Sequence, residues 1–243
     1  MLEPLSIIYR DDYLVAINKP SGLLVHRSNI DRHETQFALQ LLRDQLGQHV
    51  YPVHRLDKPT SGLLLFALSS DVAKTVSLEF SNQTVKKKYL ALVRGWCAEQ
   101  GTIDHSLKEQ FDKMSGKPKK QVIQAKDAVT HFTRLAKVEL PFAVDRYPSS
   151  RYSLVEARPV TGRKHQIRRH FKHISHPIIG DAKHGKSSHN GFFQSQFNCH
   201  RLMLACTEMT LTHPTTGDMM TLRASLDNTF SDVIDKLGWK LPQ

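Results

Sequence analysis

Cysteine is scarce in this sequence, with three in 243 residues. Cys97, Cys199 and Cys206 form an odd, widely spaced set, and such a set cannot build the paired framework of a small secreted domain. The scarcity of cysteine therefore favours a reducing compartment, the cytoplasm, and excludes a protein stabilised by several disulfides.

Long apolar segments are also missing. No window approaches the roughly 18 apolar residues that a membrane-spanning helix requires. The first four residues, MLEP, have neither the basic start nor the apolar stretch of a secretory signal. Internal repeats and low-complexity tracts are absent as well. These absences predict a cytoplasmic protein that neither crosses a membrane nor is exported.

Acidic residues are outnumbered, because 34 Lys and Arg face 23 Asp and Glu, for a formal net charge of +11 and a pI near 9.6. Such a surplus destabilises a folded chain through self-repulsion, so it usually reflects an anionic partner, either nucleic acid or a membrane surface. The hydrophobic content of 40% is enough for a full core in one large domain or two small ones.

Histidine is plentiful, and the 14 histidines raise the question of a metal site. His170, His173 and His176 are spaced by three residues, which could place two of them on one face of a helix. Zinc sites need a denser ligand set than these histidines and the distant cysteines provide. We therefore predict no metal, and expect the histidines to contact an anionic partner or solvent.

The most informative segment is residues 54–62, HRLDKPTSG, which precedes the apolar run LLLFAL. This run lies between a Pro/Gly turn and two serines, and so predicts a buried strand. The turn before it holds Asp57 between Arg55 and Lys58, at the edge of the expected core. A packed strand fixes the geometry of a reactive group beside it. The alternative is a surface turn whose carboxylate balances two cations.

Residues 86–95, KKKYLALVRG, form a second informative segment. They predict a strand in which Tyr89, Ala91 and Val93 share one face and Leu90 and Leu92 share the other. Tyr89 could be an ordinary core aromatic, the more common fate of a strand tyrosine. The three lysines could be a solvated edge, or could meet phosphates beside a nucleic-acid site.

Residues 161–171, TGRKHQIRRHF, predict a helix that buries Ile167, Phe171 and Ile174 in one stripe. Thr161 is a plausible N-cap. Arg163 and Lys164 would then occupy the first turn, where the helix dipole disfavours cations unless an anion binds. We therefore predict a phosphate contact at this position.

The other segments predict scattered strands and helices without a regular βαβ alternation. This pattern favours an α+β fold with a mixed, largely antiparallel sheet. The predicted elements are a hairpin over residues 7–18, a helix over 35–46 ended by Gly47, a helix from Asp71, a polar loop over 108–120, strands over 129–140, 152–157 and 201–204, a hairpin around 213–217, and a helix over 227–237.

Several of these runs together resemble the motifs of the RluA-type pseudouridine synthases. They are K-P-x-G at 19–22, H-R-L-D-x-x-T-S-G at 54–62, K-x-Y-x-A-x-V-x-G at 87–95, T-G-R-x-H-Q-I-R at 161–168 and H-P-I-x-G-D at 176–181. The nine-position match at 54–62 is a strong signal. The resemblance extends over nearly the whole chain from residue 7 onward.

The resemblance implies roles for four residues. Asp57 would be the catalytic residue, Arg168 its partner in the site, and Tyr89 the ring that stacks on the target base. Leu204 would line the base pocket, although Ala205-Cys206 stands where the family carries His-Ala. A guanidinium nearby keeps a carboxylate ionised, so we expect Arg168→Ala to abolish activity while the fold survives.

The cations would then bind RNA. Arg55, two residues before Asp57, would fill the gap left by the displaced base. The expected contacts to the RNA backbone are Lys19, Lys86–Lys88, Arg163, Lys164 and Arg169. Each of them, taken singly, could also be a solvated surface cation.

As a whole, the resemblance implies one catalytic domain over residues 1–243, without an N-terminal S4-type domain, and a basic cleft across its sheet. The implied reaction is isomerisation of uridine to pseudouridine in tRNA, at position 65, with no cofactor, metal, membrane or obligate protein partner. Two alternatives stay open: the same reaction on ribosomal RNA, and a non-catalytic RNA-binding protein. The second has no need for Asp57, Tyr89 and Arg168 together.

Overall fold

A computed structural model describes residues 4–27, 34–108 and 124–240. The strands in this part of the chain are β1 (Ser6–Arg10), β2 (Leu14–Lys19), β3 (Tyr51–Pro52), β4 (Ser61–Ala67), β5 (Lys86–Arg94), β6 (Gln100–Asp104), β7 (Leu107–Lys108), β8 (Ala125–Lys126), β9 (Val129–Leu140), β10 (Ser150–Pro159), β11 (Leu204–Thr212) and β12 (Met219–Arg223). The helices are α1 (Ala38–Leu46), α2 (Ser70–Ser81), α3 (Gln166–His173), α4 (Ser187–Phe197) and α5 (Asn228–Lys236). No helix in the described ranges is both long and apolar enough to cross a membrane.

One sheet of ten strands organises the molecule, in the order β1-β2-β4-β11-β5-β10-β9-β6, with β3 also paired to β4 and β12 to β11. Its pairs are antiparallel except for β4 and β11, which run parallel. The predicted α+β fold with a mixed, largely antiparallel sheet is therefore confirmed. Strands β7 and β8 form a separate two-stranded ribbon.

Strand β4 lies near the centre of this sheet, and all seven of its residues are buried. A strand covered on both faces is expected to be apolar without alternation, which explains the unbroken LLLFA run. At its start Gly62 has φ +101°, and a Cβ there would lie 2.1 Å from the carbonyl oxygen of Cys206. Only glycine therefore allows β4 to pair with β11 at this position.

Most predicted elements form, with shifted ends. The helix expected from residue 35 begins at Ala38, because Phe37 is extended and forms an isolated bridge with Leu24. Gly47 ends it in the left-handed region. The strand expected at 201–204 begins only at Leu204. Of the polar loop expected over 108–120, Lys108 ends β7, and the rest lies outside the described residues.

The beginning of α3 differs from the sequence-based interpretation. The helix starts at Gln166 after His165, whose φ of +55° is left-handed, so Thr161 is not its N-cap and neither Arg163 nor Lys164 lies in its first turn. The cause is the buried Gln166 side chain, whose oxygen accepts from the Thr161 hydroxyl (2.6 Å) and the Arg163 N–H (3.0 Å). Residues 161–165 are thereby held as a loop before the helix, and the argument for a phosphate in its first turn fails.

Candidate active site

A cleft of about 340 Å³ lies where the loop before β4, the strand β5 and the loop before α3 meet. Its volume is within the range of pockets that hold a small ligand. Eight of the twelve residues predicted for the site line it, while Lys19, Lys86, Lys88 and Arg169 do not. The eight are Arg55, Asp57, Lys87, Tyr89, Arg163, Lys164, Arg168 and Leu204.

Asp57 lies in the turn that leads into β4. The Thr60 N–H donates to the Asp57 carbonyl (3.0 Å) and closes this turn. The Gly22 N–H donates to the Lys58 carbonyl (2.9 Å) and ties the same turn to the end of β2. The Asp57 side chain stays 18% exposed toward the cleft, so a carboxylate on a fixed backbone faces the solvent-filled space.

Arg168, on the first turn of α3, binds two carboxylates at once. Its Nη1 donates to Asp57 Oδ2 (3.0 Å). Its Nε and Nη2 donate to the two oxygens of Asp181 (2.7 and 2.8 Å). A bidentate pair of this kind fixes the plane of the guanidinium as well as its position. Asp181 therefore aims Arg168 at Asp57.

Asp181 is buried with a side chain of 0% exposure. Its Oδ1 also accepts from the backbone N–H groups of Lys183 (3.0 Å) and His184 (2.9 Å). Burial alone would raise the pKa of Asp181, but the hydrogen bonds and charge of Arg168, with these N–H groups, lower it. Burial would likewise lower the pKa of Arg168, and the two carboxylates raise it instead. The pair is ionised at neutral pH.

The sequence interpretation gave Asp181 no role. The H-P-I-x-G-D run contains it, and it is an isolated carboxylate in a segment rich in cations. That composition is the one sequence feature that could have identified a partner for Arg168. The bidentate geometry itself depends on how the loop after α3 folds back on the helix.

His165 is a second residue that the sequence interpretation left without a role. Its Nε2 lies 3.9 Å from Asp57 Oδ1, and its Nδ1 lies 2.9 Å from Nε2 of His184. Burial, together with the charge of Arg168, lowers the pKa of both histidines to about 4, although Asp57 opposes the shift at His165 and Asp181 opposes it at His184. Both rings are therefore neutral at pH 7, and Arg168 supplies the positive charge closest to Asp57.

Tyr89 and Leu204 form an apolar wall of the cleft. Tyr89 lies opposite Cys206 across the β5–β11 pair, and Leu204 lies opposite Ala91. Burial raises the pKa of the Tyr89 hydroxyl well above 10, and the Cys206 thiol and Asp57 add to the shift. The ring is thus neutral and 8% exposed, which leaves a small aromatic surface facing the carboxylate side of the cleft.

Lys19 requires a correction, because it is fully buried and cannot reach an RNA phosphate. Its Nζ donates to the carbonyls of Pro20 (2.9 Å), Leu23 (2.8 Å) and Lys58 (3.2 Å). Burial, followed by the charge of Arg201, lowers its pKa to about 7. These three hydrogen bonds connect the end of β2 to the Asp57 turn, so the contribution of Lys19 is structural.

The other predicted cations lie around the cleft. Arg55 and Arg163 are exposed, and Lys164 is half-buried. The Arg163 Nε donates to the Asp127 carbonyl (3.0 Å). Arg169 is half-buried, and its Nη1 donates to the Lys108 carbonyl (3.0 Å), which directs it to β7 and away from the cleft lining.

Of the three histidines that raised the metal question, His170 and His176 bind protein oxygens, and His173 stacks on the ring of His105. His170 contacts the Thr130 hydroxyl (2.9 Å) and the His105 carbonyl (3.1 Å), and His176 contacts the Arg94 carbonyl (2.8 Å). Within residues 4–27, 34–108 and 124–240, no three His, Cys, Asp or Glu side chains converge as metal ligands.

Comparison of the sequence with known proteins gives consistent results. The family model for RNA pseudouridylate synthase matches residues 13–173. The chain is 50% identical over 236 residues to a tRNA pseudouridine synthase C from Vibrio cholerae, covering 97% of each protein. It is 52% identical over 237 residues to a tRNA pseudouridine synthase C from Pasteurella multocida, covering 98% of each.

Solved structures show the same fold. Human RNA pseudouridylate synthase domain containing 4 superimposes with a TM-score of 0.72 at 26% identity, covering 98% of this chain and 95% of the human chain. Human RNA pseudouridylate synthase domain containing 1 gives a TM-score of 0.67 at 24% identity, with coverage of 96% and 94%. The family expected from the motifs is confirmed, and this chain belongs to the RNA pseudouridylate synthases.

Proposed function

We propose that this protein isomerises one uridine of tRNA to pseudouridine, at position 65. The observation that carries the proposal is the hydrogen bond between Arg168 and Asp57 (3.0 Å) in the cleft that Tyr89 also lines. The relatives named tRNA pseudouridine synthase C support tRNA as the substrate. The surplus of cations in the chain supports an RNA partner. The three buried free cysteines support a cytoplasmic location.

The chemistry needs one ionised carboxylate. The bond from C1′ to N1 breaks, its electron pair leaves with the uracil, and C1′ gains cationic character as in glycoside hydrolysis. Asp57 either attacks C1′ or removes the proton from C2′. The uracil then turns and rejoins the sugar through C5. The C5 proton is released, N1 takes up a proton, and on the second route a proton returns to C2′. Substrate and product therefore contain the same atoms, and no oxidant and no group donor takes part.

Arg168 holds the Asp57 carboxylate in place for either route, because its Nη1 donates to Asp57 Oδ2 (3.0 Å). Because Asp181 holds the opposite edge of the guanidinium, Arg168 does not have to reorient when RNA arrives. A site fixed before the substrate binds needs less rearrangement during the reaction.

The target base must leave the RNA stack, which costs a few kcal/mol. Stacking on the Tyr89 ring would recover about 1–3 kcal/mol of this cost. Leu204 closes the pocket beside Tyr89, and Arg55 at the exposed edge of the cleft fills the gap in the RNA. Arg163, Lys164 and Arg169 bind the RNA backbone, so affinity for RNA falls steeply with salt.

A tritium-release assay tests the function. The protein is incubated with a tRNA transcript that carries [5-³H]uridine, and in parallel with ribosomal RNA and with the Asp57→Asn variant as control. We expect release from tRNA alone, and none from the variant. Release from ribosomal RNA alone would move the function to that substrate, and no release from either RNA would contradict the reaction. Chemical mapping of the product at residue 65 tests the position.

A further inference from the structure

Lys87 lines the cleft, and no step of the proposed reaction involves its charge. It lies on β5 two residues before Tyr89, and both side chains line the cleft. Residues two apart on a strand point to the same face, and their Cα atoms are about 7 Å apart. A lysine side chain extended along the strand therefore reaches a base that stacks on the Tyr89 ring.

In the part of the chain that the structure describes, the surroundings of Lys87 contain no counter-ion. Its Nζ lies 5.7 Å from the centre of the Phe80 ring. The other titratable groups close to it are the Cys206 thiol, whose pKa burial raises to about 12, and His54, whose pKa burial lowers to about 3. Both are neutral at pH 7. Among the described residues, no carboxylate lies within ion-pair distance of Lys87.

Two neighbouring cations, unlike Lys87, have carboxylate partners. Lys88, whose side chain points to the opposite face, forms an ion pair with Glu208 (2.8 Å). Arg168, across the cleft, has two carboxylates. Burial lowers the pKa of Lys87, as expected of a cation that has lost water and gained no anion. A partly buried charge without a partner is unfavourable, so an anion supplied by the substrate would compensate it.

Two anions of the substrate could compensate the charge of Lys87. One is a backbone phosphate. The other is the uracil itself, which leaves C1′ with the electron pair of the broken bond and spreads the negative charge over its ring nitrogens and carbonyl oxygens. Lys87 lies on the strand face that carries Tyr89, with its Nζ near the Phe80 ring, in a cleft that Leu204 also lines. This is an aromatic and aliphatic environment that suits a flat base better than a hydrated phosphate.

We propose that the ammonium group of Lys87 contacts a carbonyl oxygen of the target uracil and stabilises the negative charge that the base acquires when the glycosidic bond breaks. This inference rests on the proposed isomerase function and extends it, because it adds a cation for the leaving group to the carboxylate that acts on the sugar. Fixed charges of this kind act mainly in the transition state, where the charge develops.

The first experiment compares Lys87→Met with Lys74→Met. Methionine keeps most of the length and apolar volume of lysine and removes the charge. Under single-turnover conditions we expect Lys87→Met to lose about 10²- to 10³-fold in the rate of conversion, with unchanged Kd for tRNA and an unchanged slope of log Kd against log salt. Lys74→Met should stay within about threefold of the wild type, because Lys74 is exposed, pairs with Asp71 (3.0 Å) and does not line the cleft.

The proposal would be overturned by evidence that Lys87 contacts a backbone phosphate of the RNA. If Lys87 contacts the RNA backbone, Lys87→Met weakens binding, lowers the salt slope by about one, and leaves the rate at saturating RNA unchanged. A merely structural role would lower stability, so urea unfolding of both variants is measured in parallel. We expect Lys87→Met to unfold at the same or higher urea concentration than the wild type, because it removes an uncompensated charge.

A leaving-group experiment separates this inference from the proposed function. Fluorine at C5 withdraws electrons and makes the base a better leaving group, so 5-fluorouridine tRNA needs less help from Lys87. We expect the loss in glycosidic cleavage by Lys87→Met, followed by mass spectrometry of nuclease digests, to be smaller on this RNA than on normal tRNA. An equal loss on both RNAs overturns the role of Lys87. A wild-type protein that is inactive on normal tRNA overturns the proposed function instead.

Discussion

Arg168 donates to Asp57 across 3.0 Å although 111 residues separate them in the chain. The same guanidinium binds both oxygens of Asp181, which is fully buried. Asp57, Arg168 and Asp181 therefore form a row of three charges, in which the innermost member, Asp181, has no side-chain exposure to solvent. This order determines what each substitution should do.

Asp57→Asn should abolish activity without loss of stability. The amide has the shape of the carboxylate, and Arg168 keeps its bidentate partner Asp181. An asparagine neither attacks C1′ nor accepts a proton, so tritium release should fall below detection. The melting temperature should stay within a few degrees of the wild type. Retained turnover in Asp57→Asn would remove this residue from the mechanism.

Arg168→Ala should destabilise the protein as well as inactivate it, so the expectation that its fold survives has to be changed. The substitution leaves the Asp181 carboxylate buried and without its cation, a situation that costs about 3–5 kcal/mol. Urea unfolding measures this loss. Arg168→Lys keeps a charge but not the bidentate fork, and should fold while turning over more slowly. A fully stable Arg168→Ala would show that Asp181 does not depend on this ion pair.

Tyr89→Leu and Tyr89→Phe should differ in activity. Phenylalanine keeps the ring that stacks on the base, whereas leucine keeps the apolar volume and loses the ring. Base–aromatic stacking contributes about 1–3 kcal/mol, so we expect Tyr89→Leu to lose about 5- to 150-fold in kcat/KM. Tyr89→Phe should stay within about threefold, because its hydroxyl is neutral and buried. Equal activity of the two variants would argue against stacking.

Acidification should destabilise the fold between about pH 6.5 and pH 4. Burial lowers the pKa of His165, His184 and His189 to about 4, whereas histidines of the unfolded chain titrate near 6.5. In this window the unfolded chain binds more protons, so the free energy of unfolding falls as the pH falls. Each buried histidine contributes a slope of about 1.4 kcal/mol per pH unit.

His189→Gln provides the measurement, because His189 is buried against the Tyr152 hydroxyl (2.9 Å) and does not line the cleft. Urea unfolding at pH 7.5, 6 and 5 should show a shallower loss of stability in this variant than in the wild type. His49→Gln, at an exposed position, is the control and should follow the wild type. Identical pH profiles for His189→Gln and the wild type would contradict the prediction.

Arg163→Ala should weaken RNA binding and leave chemistry unchanged. The residue is exposed and lines the cleft, and its Nε donates to the Asp127 carbonyl (3.0 Å). We expect a higher KM, an unchanged kcat, and a slope of log Kd against log salt that is smaller by about one. Arg43→Ala is the control, because this exposed cation pairs with Asp44 and does not line the cleft. A lower kcat in Arg163→Ala would assign it another role.

The sequence predicts the strands around the site well, because their patterns are local. Two unbroken apolar runs specify β4 and β5, and the motif at 54–62 singles out Asp57. The Arg168–Asp57 pair was expected only through the family resemblance. No periodicity relates two residues on different elements.

What the sequence could not provide depends on tertiary packing. Lys19 in a K-P-x-G turn has the composition of a surface cation, and only the folded chain shows three carbonyls converging on its Nζ. The Gln166 side chain displaces the start of α3 by bonds to Thr161 and Arg163, which override the local cap preference. Asp181 matters because tertiary packing buries its carboxylate completely against Arg168, and the sequence does not show this burial.

The 111-residue separation of Arg168 and Asp57 has a consequence during synthesis. A nascent chain that has left the ribosome only through β9 already carries Asp57 and Tyr89, but not Arg168. The row of Asp57, Arg168 and Asp181 can form only after α3 and the segment holding Asp181 have emerged and docked.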